Sequence, residues 1–155
     1  MHDNSMRLMK WFKDNYLTGN TGYTVLDIGS RVVTEGHQCY RTIFPPPDIY
    51  LGMDVEPGPN VDIVGYESLQ TYDVVISGQT IEHIKRPWEW LKGITKYFTK
   101  YICIIAPHDL QEHRFPIDCY RFMPDGMRDV FEYAGIEEVQ IIRKARDTMG
   151  IGKHK

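Results

Sequence analysis

Two carboxylates stand where a ligand could use them. Asp27 lies in the apolar run from Tyr23 to Ile28, which stops at Gly29, and Asp54 closes a second run from Ile49 to Met53. A carboxylate accepts two hydrogen bonds at once, which suits the paired hydroxyls of a ribose. Gly29 has no Cβ, so backbone there can nearly touch a ligand. Histidines add proton-transfer chemistry near neutral pH. His83 follows a run ending at Ser77, and His108 and His113 flank the exit of the run Tyr101 to Ala106. His83 is a candidate general base, and its plainer role is a hydrogen bond to a backbone carbonyl. His108 and His113, taken with Asp109 and Asp118, raise the question of a metal site. Loop histidines are commonly only solvated, and no metal is expected. Tyr120 and Arg121 complete this polar stretch. Arg121 is placed to meet an acidic substrate or to pair with Asp118.

The elements that carry these residues follow from periodicity. Short apolar runs at 23–28, 49–53, 61–64, 72–77, 101–106 and 139–142 read as strands. Helix-like spacing marks Ser5 to Leu17, the stretch from Ile84 to Phe98 with Pro87 in its first turn, and Pro124 to Tyr133 with Gly135 as C-cap. Nearly continuous apolar strands alternating with helices imply a parallel sheet covered on both faces, a doubly wound α/β sandwich. In such a sheet the ligand sits outside the carboxyl ends of the strands. The residues found there are Gly29-Ser30-Arg31, Asp54-Val55-Glu56, Gly65-Tyr66-Glu67, Ser77-Gly78-Gln79 and Pro107-His108-Asp109. These segments are polar or contain glycine, as a binding edge requires.

The bulk properties narrow the field. A chain of 155 residues is one ordinary domain, and a net charge of -3 carries no overall basic excess for nucleic acid. No apolar run approaches the ~20 residues of a membrane span, and no signal peptide is recognisable. Cys39, Cys103 and Cys119 are odd in number and lack metal-ligand spacing. A disulfide framework is therefore not expected, and a cytoplasmic location is.

The first loop separates two nucleotide-type cofactors. A dinucleotide's pyrophosphate calls for G-x-G-x-x-G opening a helix. Here Gly29 is followed by Ser30-Arg31-Val32, with Arg31 at the place of the second glycine. S-adenosylmethionine carries no phosphate and tolerates such a loop. Val25 to Ser30, Tyr50 to Asp54, Tyr72 to Ile84 and His113 to Phe122, with Pro124-Asp125-Gly126 and Ala134-Gly135 beyond, together resemble the small class I S-adenosylmethionine-dependent methyltransferases, the type-11 group. The resemblance runs from Val25 to Val139. It implies that Asp27 orients the methionine amine and that Gly29 and Ser30 touch the methionine portion. It further implies that Asp54 holds the ribose, that Tyr66 and Glu67 lie near adenine, and that Ser77 and Gln79 close the methionine end. His83 and His113 are then the catalytic candidates, with His108, Tyr120 and Arg121 on the acceptor side.

Two features depart from that family pattern. Arg31 replaces a glycine, and Pro45-Pro46-Pro47 interrupts the first crossover. The family's last strand could come only from the tail after Ala145, so a stunted or absent strand is expected. The implied reaction is methyl transfer from S-adenosylmethionine to an oxygen or nitrogen of a small molecule, sugar-related or a secondary metabolite. No nucleic-acid or membrane partner is implied. The rival readings are a non-catalytic cofactor-binding or protein-interaction domain and a nicotinamide-dependent Rossmann enzyme.

Overall fold

The computed structural model describes residues 3–19 and 22–154. The remaining residues, among them Lys155, lie outside the described residues. Seven strands form one sheet: β1 (Thr24–Ile28), β2 (Ile49–Asp54), β3 (Ile63–Val64), β4 (Tyr72–Gly78), β5 (Phe98–Pro107), β6 (Ile136–Lys144) and β7 (Asp147–His154). Their spatial order is β3-β2-β1-β4-β5-β7-β6. The first five run parallel, and β7 is antiparallel to both of its neighbours. From β1 the chain winds outward to β2 and β3, then crosses back to β4 and β5. Strand order therefore reverses between β1 and β4, which opens a crevice at their carboxyl ends.

Period-2 alternation distributes the core to the two faces. Leu26, Ile28, Val75, Ile102 and Ile104 face one side, under Leu91 and Ile94 of α2 (Pro87–Ile94) and Met127, Val130 and Phe131 of α3 (Pro124–Ala134). Val25, Val74, Ile76, Cys103 and Ile105 face the other, under Leu8, Met9 and Phe12 of α1 (Asp3–Tyr16). Pro87 and Pro124 start their helices as read from sequence, and Gly135 ends α3 in the left-handed conformation, φ 75°. The first crossover contains only a 3-10 turn, Tyr40–Ile43, ahead of the three prolines. Tyr40 and Phe44 cover the sheet there instead of a full helix. No helix among the described residues is long and apolar enough to cross a membrane.

The last strand corrects the sequence expectation. β7 is eight residues long, and it pairs with β5 along one edge and β6 along the other. Its Met149-Gly150-Ile151-Gly152 stretch has weak strand character in isolation. The helix above it explains the glycines. A Cβ on Gly150 would lie 2.7 Å from Phe131 Cζ, and one on Gly152 would lie 2.2 Å from Ile136 Cγ2. The strand is glycine-rich because α3 and β6 occupy the side-chain space.

Candidate active site

A cavity of about 820 Å³ opens at the carboxyl ends of β1, β2 and β4. Its first wall is the loop after β1. Gly29 adopts φ 79°, and its N–H and that of Ser30 both donate to Met53 O, at 2.8 and 3.1 Å. These bonds tie the loop to β2. A Cβ on Gly29 would stand 2.1 Å from Thr80 Oγ1. The close approach that demands glycine is thus made by the β4 loop rather than by a ligand. Asp54, at the end of β2, accepts the Arg31 N–H at 3.1 Å and the Glu56 N–H at 3.2 Å. Each of its oxygens keeps a free lone pair beside the cavity. Arg31 turns aside to pair with Glu56 at 2.7 Å. Tyr66 and Glu67 line the cavity after β3, and Gln79 lines it after β4. Gln79 has φ 57° and its side-chain Nε2–H donates to Asp147 at 2.9 Å, which leaves its Oε1 buried without a partner among the described residues.

Two expected cofactor residues sit behind this wall. Asp27 is buried, accepts the Tyr50 hydroxyl proton and is not part of the lining. Burial lifts its carboxyl pKa to about 7, against the lowering effect of the Tyr50 bond. Its influence on the loop is indirect. Asn60 donates to Tyr50 Oη at 3.1 Å and to Ser30 O at 2.9 Å, while Ser30 Oγ donates to Asn60 O at 2.9 Å. Asp27, Tyr50, Asn60 and Ser30 therefore form one connected network under the loop. Ser77 Oγ donates to Ile28 O at 2.6 Å and ties β4 to β1.

At the other end the cavity is walled by His83, His113, Phe115 and Ile117. The short 3-10 turn Ile81–His83 brings His83 inward. Its Nδ1 meets Ile117 O at 2.5 Å. The His113 ring stands nearly perpendicular to it, with centroids 4.9 Å apart. His113 Nδ1 faces Gln111 O at 3.2 Å and Asp118 Oδ2 at 3.4 Å. The Nε2 atoms of both rings lie 3.7 Å from one oxygen of Glu82, whose side chain is fully buried. The Glu82 carboxylate raises the His113 pKa above the usual imidazole value, aided by Gln111 O and Asp118 and opposed by partial burial. Asp118 is itself held by Arg121, which keeps its carboxyl well below the usual range.

No protein-family model and no curated protein sequence matches the chain. Solved structures do match it. The N-terminal domain of EvdMO1, in the presence of S-adenosylhomocysteine and D-fucose, aligns over 99% of this chain and 84% of its own, with 16% identity and a TM-score of 0.63. Magnesium protoporphyrin IX methyltransferase from Synechocystis PCC 6803, with bound S-adenosylmethionine, aligns over 98% and 78%, with 12% identity and a TM-score of 0.67. An S-adenosylmethionine-dependent methyltransferase from Aquifex aeolicus aligns over 97% and 93%, with 17% identity and a TM-score of 0.63.

The fold is that of the class I S-adenosylmethionine-dependent methyltransferases. Within this methyltransferase fold, Gly29, Ser30, Asp54, Tyr66, Glu67, Gln79, His83 and His113 share the cavity, while Asp27 and Ser77 support it from beneath. The other three candidates are turned elsewhere. His108 is buried with its Nε2 accepting from Arg143 at 3.0 Å and its Nδ1 3.3 Å from the Thr148 hydroxyl. Tyr120 gives its hydroxyl to Lys85 O and packs on Trp88. Arg121 pairs with Asp118 and donates to three backbone carbonyls. His108, Tyr120 and Arg121 pin the segment after β5 and do not line the cavity. Glu82 belongs to the Tyr72 to Ile84 motif but is not among the sequence's site candidates. Its one visible signal is a glutamate beside His83 in an otherwise apolar turn, Ile81 to Ile84.

Proposed function

We propose that the chain is an S-adenosylmethionine-dependent methyltransferase acting on an oxygen or nitrogen of a small molecule. The observation that carries this reading is the shared cavity: a ribose-type carboxylate, Asp54, lies at one end and a histidine pair at the other. Its volume falls within the ~300–1,000 Å³ of ordinary ligand sites. Asp54 takes the ribose hydroxyls, and Tyr66 and Glu67 flank the adenine. Gly29 and Ser30 run along the methionine portion, with Asp27 positioning them through Tyr50 and Asn60. The unpartnered Gln79 Oε1 meets the methionine ammonium, a donor to match a buried acceptor. His83 and His113 face the acceptor. The acceptor's lone pair attacks the sulfonium methyl in line with the C–S bond. The bonding electrons pass to sulfur, and S-adenosylhomocysteine leaves. Alignment in a closed site can supply roughly 7–11 kcal/mol of barrier lowering, so the protein's main task is positioning.

The loop Gly29-Ser30-Arg31 lacks the second glycine that a dinucleotide's pyrophosphate calls for, which disfavours a nicotinamide cofactor. The occurrence of D-fucose with the EvdMO1 domain supports sugars as first members of an acceptor panel. Calorimetry with S-adenosylmethionine and S-adenosylhomocysteine tests the reading, followed by methyl-transfer assays on hydroxylated small molecules. Micromolar binding that weakens roughly tenfold or more in Asp54→Ala is expected. No heat with either ligand overturns it.

A further inference from the structure

Glu82 poses an electrostatic problem that the methyl-transfer reading leaves open. Its side chain is fully buried, and neither carboxylate oxygen has a hydrogen-bond partner among the described residues. An uncompensated buried carboxylate costs several kcal/mol. The groups that face it are the Nε2 atoms of His83 and His113, both 3.7 Å from Oε1 and beyond hydrogen-bond reach. Both rings are already committed on their far side. Ile117 O faces Nδ1 of His83, and Gln111 O faces Nδ1 of His113. A carbonyl only accepts, so Nδ1 carries the hydrogen, and in a neutral ring Nε2 then presents a lone pair. With both rings neutral, three electron-pair donors converge with no donor hydrogen among them, and protonation of His113, which Glu82 favours, supplies the one Nε2–H that faces the carboxylate. In the neutral form what the cluster lacks is a cation.

We propose that Glu82, His83 and His113 bind a divalent first-row metal ion at the acceptor end of the cavity, and that the acceptor is a small molecule whose hydroxyl oxygen, or two adjacent oxygens, completes the coordination. The second half rests on the methyltransferase reading; the first does not. The three ligand atoms lie within 4.8 Å of one another. An ion with bonds of ~2.0–2.2 Å holds tetrahedral ligands roughly 3.4 Å apart, close to the 3.7 Å that separates each Nε2 from Glu82, and closing the site draws the most distant pair together by up to about 1.4 Å. The surroundings are those that orient metal-bound imidazoles: each ring is anchored through Nδ1 to a carbonyl, and His113 is also backed by Asp118. The histidine and carboxylate set considered from sequence, His108, Asp109, His113 and Asp118, is not the one that converges. Two imidazoles and one carboxylate suit manganese, iron, cobalt or zinc better than the all-oxygen preference of magnesium or calcium. Three protein ligands leave positions open, as catalytic sites do.

The bound ion accounts for the acceptor's activation. A hydroxyl coordinated to a divalent cation loses its proton to solvent water more readily, as metal-bound water does. The resulting alkoxide or phenolate attacks the methyl carbon. The C–O bond forms as the C–S bond breaks, and the electron pair stays on sulfur. The Nε2 atoms hold the ion, so no histidine need take the proton.

The test uses the full chain stripped of metal with a chelator. Calorimetric titration with Co²⁺ and with Mn²⁺ is paired with the visible absorption of the Co²⁺ form. One ion bound per chain, with an absorption band characteristic of mixed nitrogen and oxygen ligands, is expected. Glu82→Gln and His113→Ala should each weaken binding by more than about 100-fold, beyond the loss typical of outer-shell changes. S-adenosylhomocysteine affinity, measured in the same samples, should stay within about threefold of wild type and so reports that the variants are folded. Absence of Co²⁺ and Mn²⁺ binding to the wild-type chain overturns the proposal. So does binding that persists at wild-type strength in both variants. Co²⁺ binding without S-adenosylhomocysteine binding would leave the metal site standing and remove the methyltransferase reading.

Discussion

The Arg121 guanidinium holds both oxygens of Asp118, at 2.6 and 2.7 Å, and the same carboxylate accepts the His113 backbone N–H at 2.7 Å. This pair is the means by which an irregular segment presents His113 to the cavity. Further bonds from Arg121 to Leu110 O, Gln111 O and Tyr120 O draw both ends of the segment together. Arg121→Ala should lower stability by about 1.5–3 kcal/mol, the usual scale for hydrogen bonds to charged groups. That is several degrees of melting temperature for a chain of this size. Arg121→Lys should recover little, because an ammonium cannot reproduce the two parallel bonds. Thermal melts of both variants check this, and an unchanged melting temperature in Arg121→Ala would remove the pinning role.

Asp54 governs the cofactor end. Asp54→Ala should weaken S-adenosylhomocysteine binding by roughly tenfold to a hundredfold, since charge-assisted hydrogen bonds contribute about 1.5–3 kcal/mol. The melting temperature should fall only slightly, because Asp54 also receives the Arg31 and Glu56 N–H groups. Paired calorimetry and melting curves separate the two effects. An unaltered dissociation constant would take the ribose away from Asp54.

Asp27 gives the fold a pH dependence. Its pKa is raised to about 7 in the native state by burial, against about 3.9 in an unfolded chain. Between those values the unfolded chain sheds this proton and the native chain keeps it. The Asp27 contribution is therefore fully present below about pH 4, declines as pH rises, and is lost above about pH 7. Asp27→Asn retains an acceptor for the Tyr50 hydroxyl and has no proton to lose. Its stability relative to wild type should rise between pH 4.5 and pH 8. Urea midpoints at the two pH values measure this, and a constant difference would contradict it.

Gly29 is required by packing as well as by any ligand. With φ 79° and Thr80 Oγ1 2.1 Å from its ideal Cβ position, Gly29→Ala should destabilise the fold by more than about 1 kcal/mol. Adding Thr80→Gly should recover part of that loss, because the contact disappears while the backbone conformation remains unfavourable. A double-mutant cycle in urea reads the coupling. Strict additivity would show that Thr80 is not the obstacle.

The parts legible in the sequence were those with a local cause. Short, nearly continuous apolar runs place the strands, Pro87, Pro124 and Gly135 mark helix ends, and strand-terminal residues such as Gly29, Asp54 and Gln79 fall on one edge because a parallel sheet gathers its carboxyl ends there. The doubly wound, two-faced core follows from the same alternation of strands with helices, while the strand order β3-β2-β1-β4-β5-β7-β6 is visible only in the structure. The tertiary structure decided whatever depends on a distant partner. β7 is a full strand because β5 and β6 flank it and Phe131 fills the space above its glycines. Asp27 turns away from the cavity to meet Tyr50, and His108 turns to Arg143 and Thr148. Glu82 illustrates the distinction best. In sequence it is a glutamate beside a histidine. Its significance arises only when a loop some thirty residues away, pinned by Arg121, sets His113 opposite His83 and leaves the buried carboxylate between them. Backbone propensity acts over a few neighbouring residues, whereas burial and charge pairing are set by whichever groups the closed chain brings within a few ångströms.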